Sequence, residues 1–473
     1  MGKRDPESGV GMGCAFLLRS LAETASQIPR SERDAFPVEA SNGKCIPVFC
    51  EKRDALSGRL LPAHMYISAR HLGPAQIFLP LLRHFTDRSV VCPHARVYSK
   101  RYFSYAIRCR FDLRDLKGAV MERILGVNLS GWFIPEPWVT PSLYAATGAS
   151  NAAELQEAMG TAAYNERMRR HYETFVSEDD FRRMAQIGLN AVRLPVPWYA
   201  FGSQESDASY ISVVDYIDRA IEWAAKYNIR VLLDLATVPG GQGDSNDSPT
   251  TPEAVAEWHS STNGRHVALD VLERLADRYG EAESLLGIEL LDTPQMSVRK
   301  SLFTMTDGIP AHYLRNFYRD AYELVRSYMP EDKIVVFSSS GHPGEWKHFM
   351  RGAKYKNVYM DLHLYHYRDE YALDITSPRG LTTAISRNKR ELKEAISTGF
   401  PVLVGEWSGA AIFANSSVTP EGRNAYERVF IANQLASFAP AAGWFFQTWK
   451  TEKRIAAWDA RAALGTLERG MIE

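Results

Sequence analysis

The second, longer part of this 473-residue chain predicts an α/β fold, a (β/α)8 barrel, and three observations predict it. After Leu116, short apolar runs alternate with stretches whose apolar residues recur at helical spacing, the pattern of parallel β/α architecture. Eight such runs can be counted. Nearly every run ends in a polar or charged residue, and a barrel of this kind gathers its site at the C-terminal ends of its strands. An open, doubly wound sheet accounts for the alternation but less well for the count and the polar ends.

The expected strands are ILGVNL (124–129), NAVRLPV (190–196), RVLLDLA (230–236), LLGIELL (285–291), KIVVFS (333–338), VYMDLHLY (358–365), PVLVGEW (401–407) and GWFFQTW (443–449). Their nearly continuous apolar character is what strands buried on both faces require. Each is expected to be followed by a helix. In Tyr216–Tyr227, Ile217, Ala220, Ile221 and Ala224 share one face. Another helix is expected to start at the box Ser177-x-x-Asp180, where the acidic side chain can return a hydrogen bond to the cap. The barrel is placed at 119–473. Residues 45–118 hold strand-like pieces (Ile46–Phe49, Met65–Ser68, Arg96–Phe111) and are read as a small ancillary β-rich region. Residues 1–44 are polar and Gly/Ser/Arg-rich without periodicity, the composition of a disordered basic tail.

Hydrophobic residues make up 45% and charged residues 23% of the chain, enough apolar material for a full core. No run reaches the ~18 uncharged apolar residues of a membrane span. Net charge is -1, unevenly divided. Residues 1–118 hold 19 Lys/Arg against 11 Asp/Glu, and the remainder 36 against 45. An acidic barrel argues against nucleic acid as partner, because phosphate binding needs clustered cations. All five cysteines (Cys14, Cys45, Cys50, Cys92, Cys109) lie in the first 109 residues. The barrel cannot depend on disulfides, and without CxxC spacing no metal is expected. Gly9–Leu18 is apolar like a signal h-region, but Asp5 and Glu7 precede it, Arg19 follows, and no clear cleavage site appears. The compartment therefore stays open. Of three sequons, at Asn128, Asn246 and Asn415, the first falls in an expected buried strand. A monomer is the expected state.

Collected at the strand ends are Asn128 and Glu136, Arg193, Asp234 with Ala236, Asp292 with Thr293, Ser339, His363 with Tyr365, Glu406, and Trp449. A Glu flanked by His, Tyr, Arg and Trp suits a sugar. Aromatic faces stack on pyranose rings, and charged groups take the hydroxyls. Any one of these residues alone reads as packing; their recurrence at matching positions on several strands points to a site.

These stretches carry a resemblance. GVNLSGWFIPEPWVTPSLY (126–144), GLNAVRLPVPWYAF (188–201), DLATVPGGQ (234–242), GIELLDTP (287–294), MDLHLY (360–365), VGEWSGA (404–410) and GWFFQTWKTE (443–452) together resemble the exo-β-1,3-glucanases of glycoside hydrolase family 5. The resemblance covers essentially everything from about residue 119 onward. It implies a retaining β-glucosidic hydrolase with two carboxyl groups about 5 Å apart, one nucleophile and one acid/base. Glu406 matches the nucleophile, and Arg193 matches the arginine that sits beneath it and holds it ionised. His363 and Tyr365 match a pair bordering the first sugar subsite. Glu136 matches a carboxylate that binds sugar hydroxyls, and Trp449 an aromatic of the strand-8 motif. A β-glucan-like carbohydrate is the implied ligand, no cofactor is implied, and an extracellular or secretory setting is.

The departures are as specific as the matches. The family's Asn-Glu-Pro is Asp292-Thr293-Pro294 here, so the acid/base position holds Thr293, whose hydroxyl is no useful proton donor near neutral pH. Asp292 replaces an asparagine that contacts the sugar 2-hydroxyl, and an ionised Asp accepts but cannot donate. Ala236 replaces a histidine of the strand-3 motif. Ser245 and Asp247 stand where a Phe and an Asn are usual, Arg368 where an aromatic is, and Gln447 where a Trp is. Glu289 lies four residues deeper than position 293, roughly 13 Å along a strand, and Asp292 should point to the other side of the pleat. Neither is expected to act as the acid. The reading is thus a glucan 1,3-beta-glucosidase-like protein that is catalytically impaired and binds a glycan. The alternatives are an active glycosidase or transglycosidase with an acid relocated to Asp244 or Asp247, and a non-catalytic interaction protein working through residues 1–118.

Overall fold

The computed structural model describes residues 48–53, 60–65, 122–202, 210–243, 257–301, 304–366, 374–411, 413 and 418–465. The chain divides into two compact units, Met1–Glu122 and Arg123–Glu473. In the first, β1 (Val48–Arg53) and β2 (Leu60–Met65) form an antiparallel pair. The tail expected at 1–44 and the piece Arg96–Phe111 lie outside the described residues.

The second unit is a closed barrel of eight parallel strands in chain order: β3 (Ile124–Asn128), β4 (Ala191–Val196), β5 (Arg230–Leu235), β6 (Leu285–Glu289), β9 (Ile334–Ser338), β10 (Val358–His366), β11 (Val402–Ala411) and β12 (Gly443–Phe446), which returns to β3. A two-residue parallel pair, β7 (Met296–Ser297) with β8 (Ile309–Pro310), ties down the loop after β6. All eight expected runs are strands, with ends moved by a few residues. The helices are α1 (Ala152–Met159), α2 (Thr161–Thr174) and α3 (Glu178–Gln186) after β3, and α4 (Val214–Tyr227) after β4. They continue with α5 (Thr262–Tyr279) after β5, α6 (Ala311–Arg326) after β8, α7 (Pro378–Ser397) after β10 and α8 (Pro420–Ser437) after β11. One expected helix is absent: between β9 and β10 the chain makes only the 3-10 turn Pro343–Trp346.

The local signals operate as their chemistry requires. In α4, Ile217, Ala220 and Ala224 are fully buried and Ile221 half-buried, and Asn228 stops the helix in the left-handed conformation. At the start of α3 the Asp180 carboxylate accepts from the Ser177 N–H at 2.9 Å, completing the capping box.

Two apolar layers result. The larger lies between strands and helices. The smaller fills the barrel interior with at least one residue from each strand: Ile124, Ala191, Leu232, Leu286, Ile334 and Val336, Tyr359, Leu403 and Phe445. Side chains two apart on a strand share a face. One step above this floor the same faces therefore carry Arg193 (after Ala191), Asp234 (after Leu232) and Asp361 (after Tyr359). An apolar plug capped by charges is written into the strands themselves.

Candidate active site

Glu406 reaches the barrel interior through an irregularity. Asp361 pairs with Leu403 and His363 with Glu406, so β11 spends one more residue than β10 over the same rise. The extra residue shows again against β12, where Val404 pairs with Trp444 and Trp407 with Phe446. Such a bulge re-aims the side chains beyond it. With regular alternation from inward-facing Leu403, position 405 would face the interior; the bulge gives that orientation to Glu406, level with His363. Gly405 makes this possible, since a Cβ there would lie 1.9 Å from the Asp361 carboxylate.

Arg193 is the hub. Its side chain is wholly buried, and all three of its nitrogens are engaged by polar partners. Nε donates to Glu289 at 2.7 Å. Nη1 donates to Asn128 Oδ1 at 3.1 Å and to Glu406 Oε1 at 3.2 Å. Nη2 donates to Asp292 Oδ1 at 2.9 Å and stands 3.2 Å from Asp234 Oδ2. One cation thus serves four carboxylates. The other oxygen of Glu406 accepts from the Tyr365 hydroxyl at 2.7 Å and lies 3.4 Å from His363 Nδ1. His363 Nε2 forms an ion pair with Asp361 at 2.7 Å and stands 3.8 Å from Asp292.

The protonation states follow from this crowding. Burial works against the charge of Arg193, but Asp234, Glu289, Asp292 and Glu406 outweigh it and hold the guanidinium charged. Burial likewise opposes charge on His363, and Asp361 and Glu406 overcome it, raising the imidazole well above its ordinary range. Asp361 is held low by His363 despite its burial. Burial pushes Glu289 up to about 8, with Arg193 opposing and Asp361 adding repulsion. Asp234 is raised further, again by burial first. Glu136 is pushed up to about 8 by burial, then by Glu406, while the Trp138 indole N–H, donating at 2.9 Å, pulls the other way. Glu406 is raised too, by burial and by Asp292, against His363, Arg193 and the Tyr365 hydroxyl.

Among the described residues, Asp234, Glu289 and Asp292 are a trio whose carboxylate oxygens lie close enough to hold a cation. The Arg193 guanidinium contacts all three, and it is the cation that fills this place.

The structure brings Glu406, Arg193, His363, Tyr365 and Asp292 into direct contact, and Glu136 into electrostatic range of Glu406 and Asp292. Thr293 is half-buried at the mouth, on a backbone with φ of 31°, a left-handed setting rare for a β-branched residue. Its hydroxyl donates to Asp292 Oδ1 at 2.6 Å. Two expectations need correction. Asp292 does not point away: β6 ends at Glu289, strand parity lapses over Leu290–Thr293, and the carboxylate turns inward to Arg193. Trp449 borders no open subsite: it is 2% exposed in the main core, and its indole N–H donates to Asp180 of α3 at 2.9 Å. Ser339 is buried, its carbonyl accepting from Trp346. Gln447 is buried and accepts from the Ser130 hydroxyl at 2.8 Å. Ala236 is buried, its carbonyl held by Gln242. Asp244, Ser245, Asp247 and Arg368 lie outside the described residues.

Sequence reading missed the aromatic wall. Trp458, half-buried, packs against Trp138 (centroids 5.0 Å apart) and against Tyr365 (5.7 Å). Trp138 was visible within the PEPW stretch beside Glu136. Trp458 lies nine residues beyond Trp449, outside any strand run, and returns to the mouth because Thr448 N–H bonds its carbonyl at 2.8 Å.

Residues 152–444 match the profile of Cellulase (glycosyl hydrolase family 5). The chain belongs to glycosyl hydrolase family 5. Within that family it is glucan 1,3-beta-glucosidase-like. It is 29% identical over 372 residues to a probable glucan 1,3-beta-glucosidase A of Aspergillus niger, covering 72% of this chain and 84% of the relative. It is 27% identical over 383 residues to a glucan 1,3-beta-glucosidase of Schwanniomyces occidentalis, covering 72% and 86%. Among solved structures, a rutinosidase from Aspergillus niger superposes with a TM-score of 0.60 at 18% identity, over 74% of this chain and 98% of that one. At that identity the likeness speaks for the family 5 barrel fold alone.

Proposed function

We propose that this family 5 barrel binds a β-glucan or related glycan at the mouth formed by Glu136, Trp138, Tyr365, Glu406 and Trp458, and that it is catalytically impaired. The observation that carries the proposal is the pair at 292–293. Retaining hydrolysis needs a second carboxyl group free to protonate the departing oxygen. At the position facing Glu406 in the family pattern stands Thr293, and its hydroxyl proton is engaged by Asp292 at 2.6 Å. Asp292 is itself engaged by Arg193 at 2.9 Å. Neither is placed as a proton donor to a leaving group, and loss of general acid assistance costs about 10² to 10⁴ in rate.

Some features that suit a sugar remain. The tilted cluster of Trp138, Trp458 and Tyr365 offers apolar faces, and carboxyl oxygens beside it accept hydroxyl hydrogens. Isothermal titration of β-1,3-gluco-oligosaccharides into the purified full chain tests this. Binding that weakens about tenfold or more in Trp458→Ala, as loss of a stacking face of about 1.4 kcal/mol requires, supports the reading. Absence of binding to any β-glucan would contradict it. A relocated acid at Asp244 or Asp247, and an interaction role for residues 1–118, rest on positions outside the described residues, and no described contact favours either.

A further inference from the structure

The two terminal nitrogens of Arg193 are each divided between two acceptors. Glu406 has one N–H at 3.2 Å, on a nitrogen it shares with Asn128 at 3.1 Å. Asp292 has the other terminal nitrogen at 2.9 Å, with Asp234 3.2 Å from that same nitrogen. The Thr293 hydroxyl fixes that carboxylate in place at 2.6 Å. Asp234 and Glu289 belong to the closed floor, with no exposed side-chain area, whereas Asp292 and Glu406 are the two partners open to the mouth, at 10% and 14%. The two like charges draw on one cation through different nitrogens, Glu406 on Nη1 and Asp292 on Nη2.

We propose that Asp292 is a positioning residue that diverts Arg193 from Glu406 and so disarms the nucleophile carboxylate, separately from the missing acid at 293. This rests on the reading of Glu406 as the nucleophile position. It adds that the defect is double. A glutamate restored at 293 would still face a Glu406 that divides Arg193 with Asp292, and Asp292→Asn would relieve that division without restoring an acid. An amide at 292 still fills the space and still accepts from the Thr293 hydroxyl through its carbonyl oxygen, so the variant changes charge with little change in packing.

The groups facing Glu406 are Arg193 from β4, His363 and Tyr365 from β10 with Asp361 behind His363, Asp292 from the loop after β6, and Glu136 from the loop after β3. The substitution leaves the Tyr365 hydroxyl in place, but Asp292 also stands 3.8 Å from His363 Nε2, so a change in Glu406 reports on removal of the Asp292 charge as a whole. The direction is fixed by charge. Removing Asp292 removes a repulsion and frees a shared cation, and both favour ionised Glu406.

Two measurements on the full-length protein separate this proposal from the reading beneath it. The first is a carbon-13 titration of glutamate-labelled protein, with the Glu406 signal assigned by its loss in Glu406→Gln. The midpoint of Glu406 should fall by about one pH unit or more in Asp292→Asn, roughly a fivefold gain in ionised fraction at the pH of the lower midpoint, approaching about tenfold well below it. It should not fall in Thr293→Val, which keeps Asp292. An unmoved midpoint in Asp292→Asn overturns the diversion, and this readout needs no ligand. The second is covalent labelling by 2,4-dinitrophenyl 2-deoxy-2-fluoro-β-glucoside, followed by intact mass. Glu406 Oε attacks C1, the C1–O bond breaks, and dinitrophenolate leaves with the electron pair, so no acid is needed. Labelling well below the measured lower midpoint should be about tenfold faster in Asp292→Asn than in the unaltered protein. A shifted midpoint with no labelling in either protein upholds the diversion and removes the glucoside-binding reading instead.

Discussion

Arg193 lies 2.9 Å from Asp292 and 3.2 Å from Glu406, holding both carboxylates from beneath the mouth of the barrel. In the reading proposed above, this pairing separates the chain from an intact two-carboxylate machine. The nucleophile position is occupied and bonded, the acid position is a threonine, and the new acidic neighbour is tied to the arginine.

Restoring the acid side should restore chemistry only as a set. The triple variant Ala236→His, Asp292→Asn, Thr293→Glu should turn over an aryl β-glucoside at least about 10²-fold faster than the unaltered chain. Thr293→Glu alone should recover less. Steady-state release of the phenol measures both. Equal recovery by the single variant would show that position 292 does not matter.

Removing the hub should threaten the fold. In Arg193→Met, four carboxylates lose their cation in a buried place, and such an uncompensated ion group costs roughly 3 to 5 kcal/mol. Urea unfolding followed by tryptophan fluorescence is the check, and a loss below about 1 kcal/mol would mean that the acids simply protonate at little cost.

The two tryptophans near the end of the barrel should behave oppositely. Trp449→Phe removes the hydrogen bond to Asp180 and should cost about 1 to 2 kcal/mol of stability while leaving glycan affinity unchanged. Trp458→Ala should weaken glycan binding with the smaller effect on stability. Paired unfolding and calorimetric titrations decide this.

The contrast between those residues shows how far the sequence reached. All eight strands were legible because strands buried on both faces read as unbroken apolar runs. The bulge at Gly405 left a visible trace in the Val-Gly-Glu-Trp run, though not its consequence for which side chain faces inward. Trp449 was misread because a motif at a strand end gives no information on which way the chain turns next; the ring fell into the core beside α3. Trp458 was missed because its approach to Tyr365 is set by a loop that returns from beyond the last strand. Asp292 was misplaced because parity arguments hold only while a strand continues, and β6 stops three residues earlier.

Stability should carry the signature of Glu136. Its folded value of about 8 lies above the ordinary carboxylate value of about 4.3, so the folded state keeps a proton that the unfolded chain has released. The sign is therefore negative. Its contribution is fully present below about pH 4.3 and declines as pH rises to about 8, by at most about 1.4 kcal/mol per pH unit. The difference in unfolding free energy between the unaltered protein and Glu136→Gln should follow this slope and level off above pH 8. A difference that is flat from pH 4.5 to 8 would mean Glu136 is ionised in the folded protein.

The most direct measurement is hydrolysis of laminarin by the purified full-length protein beside its Glu406→Gln variant, across pH 4 to 8. A site that has kept its nucleophile side and lost its acid side predicts no Glu406-dependent release of glucose at any pH. Sustained turnover abolished by Glu406→Gln would contradict it and place a working acid elsewhere in the mouth.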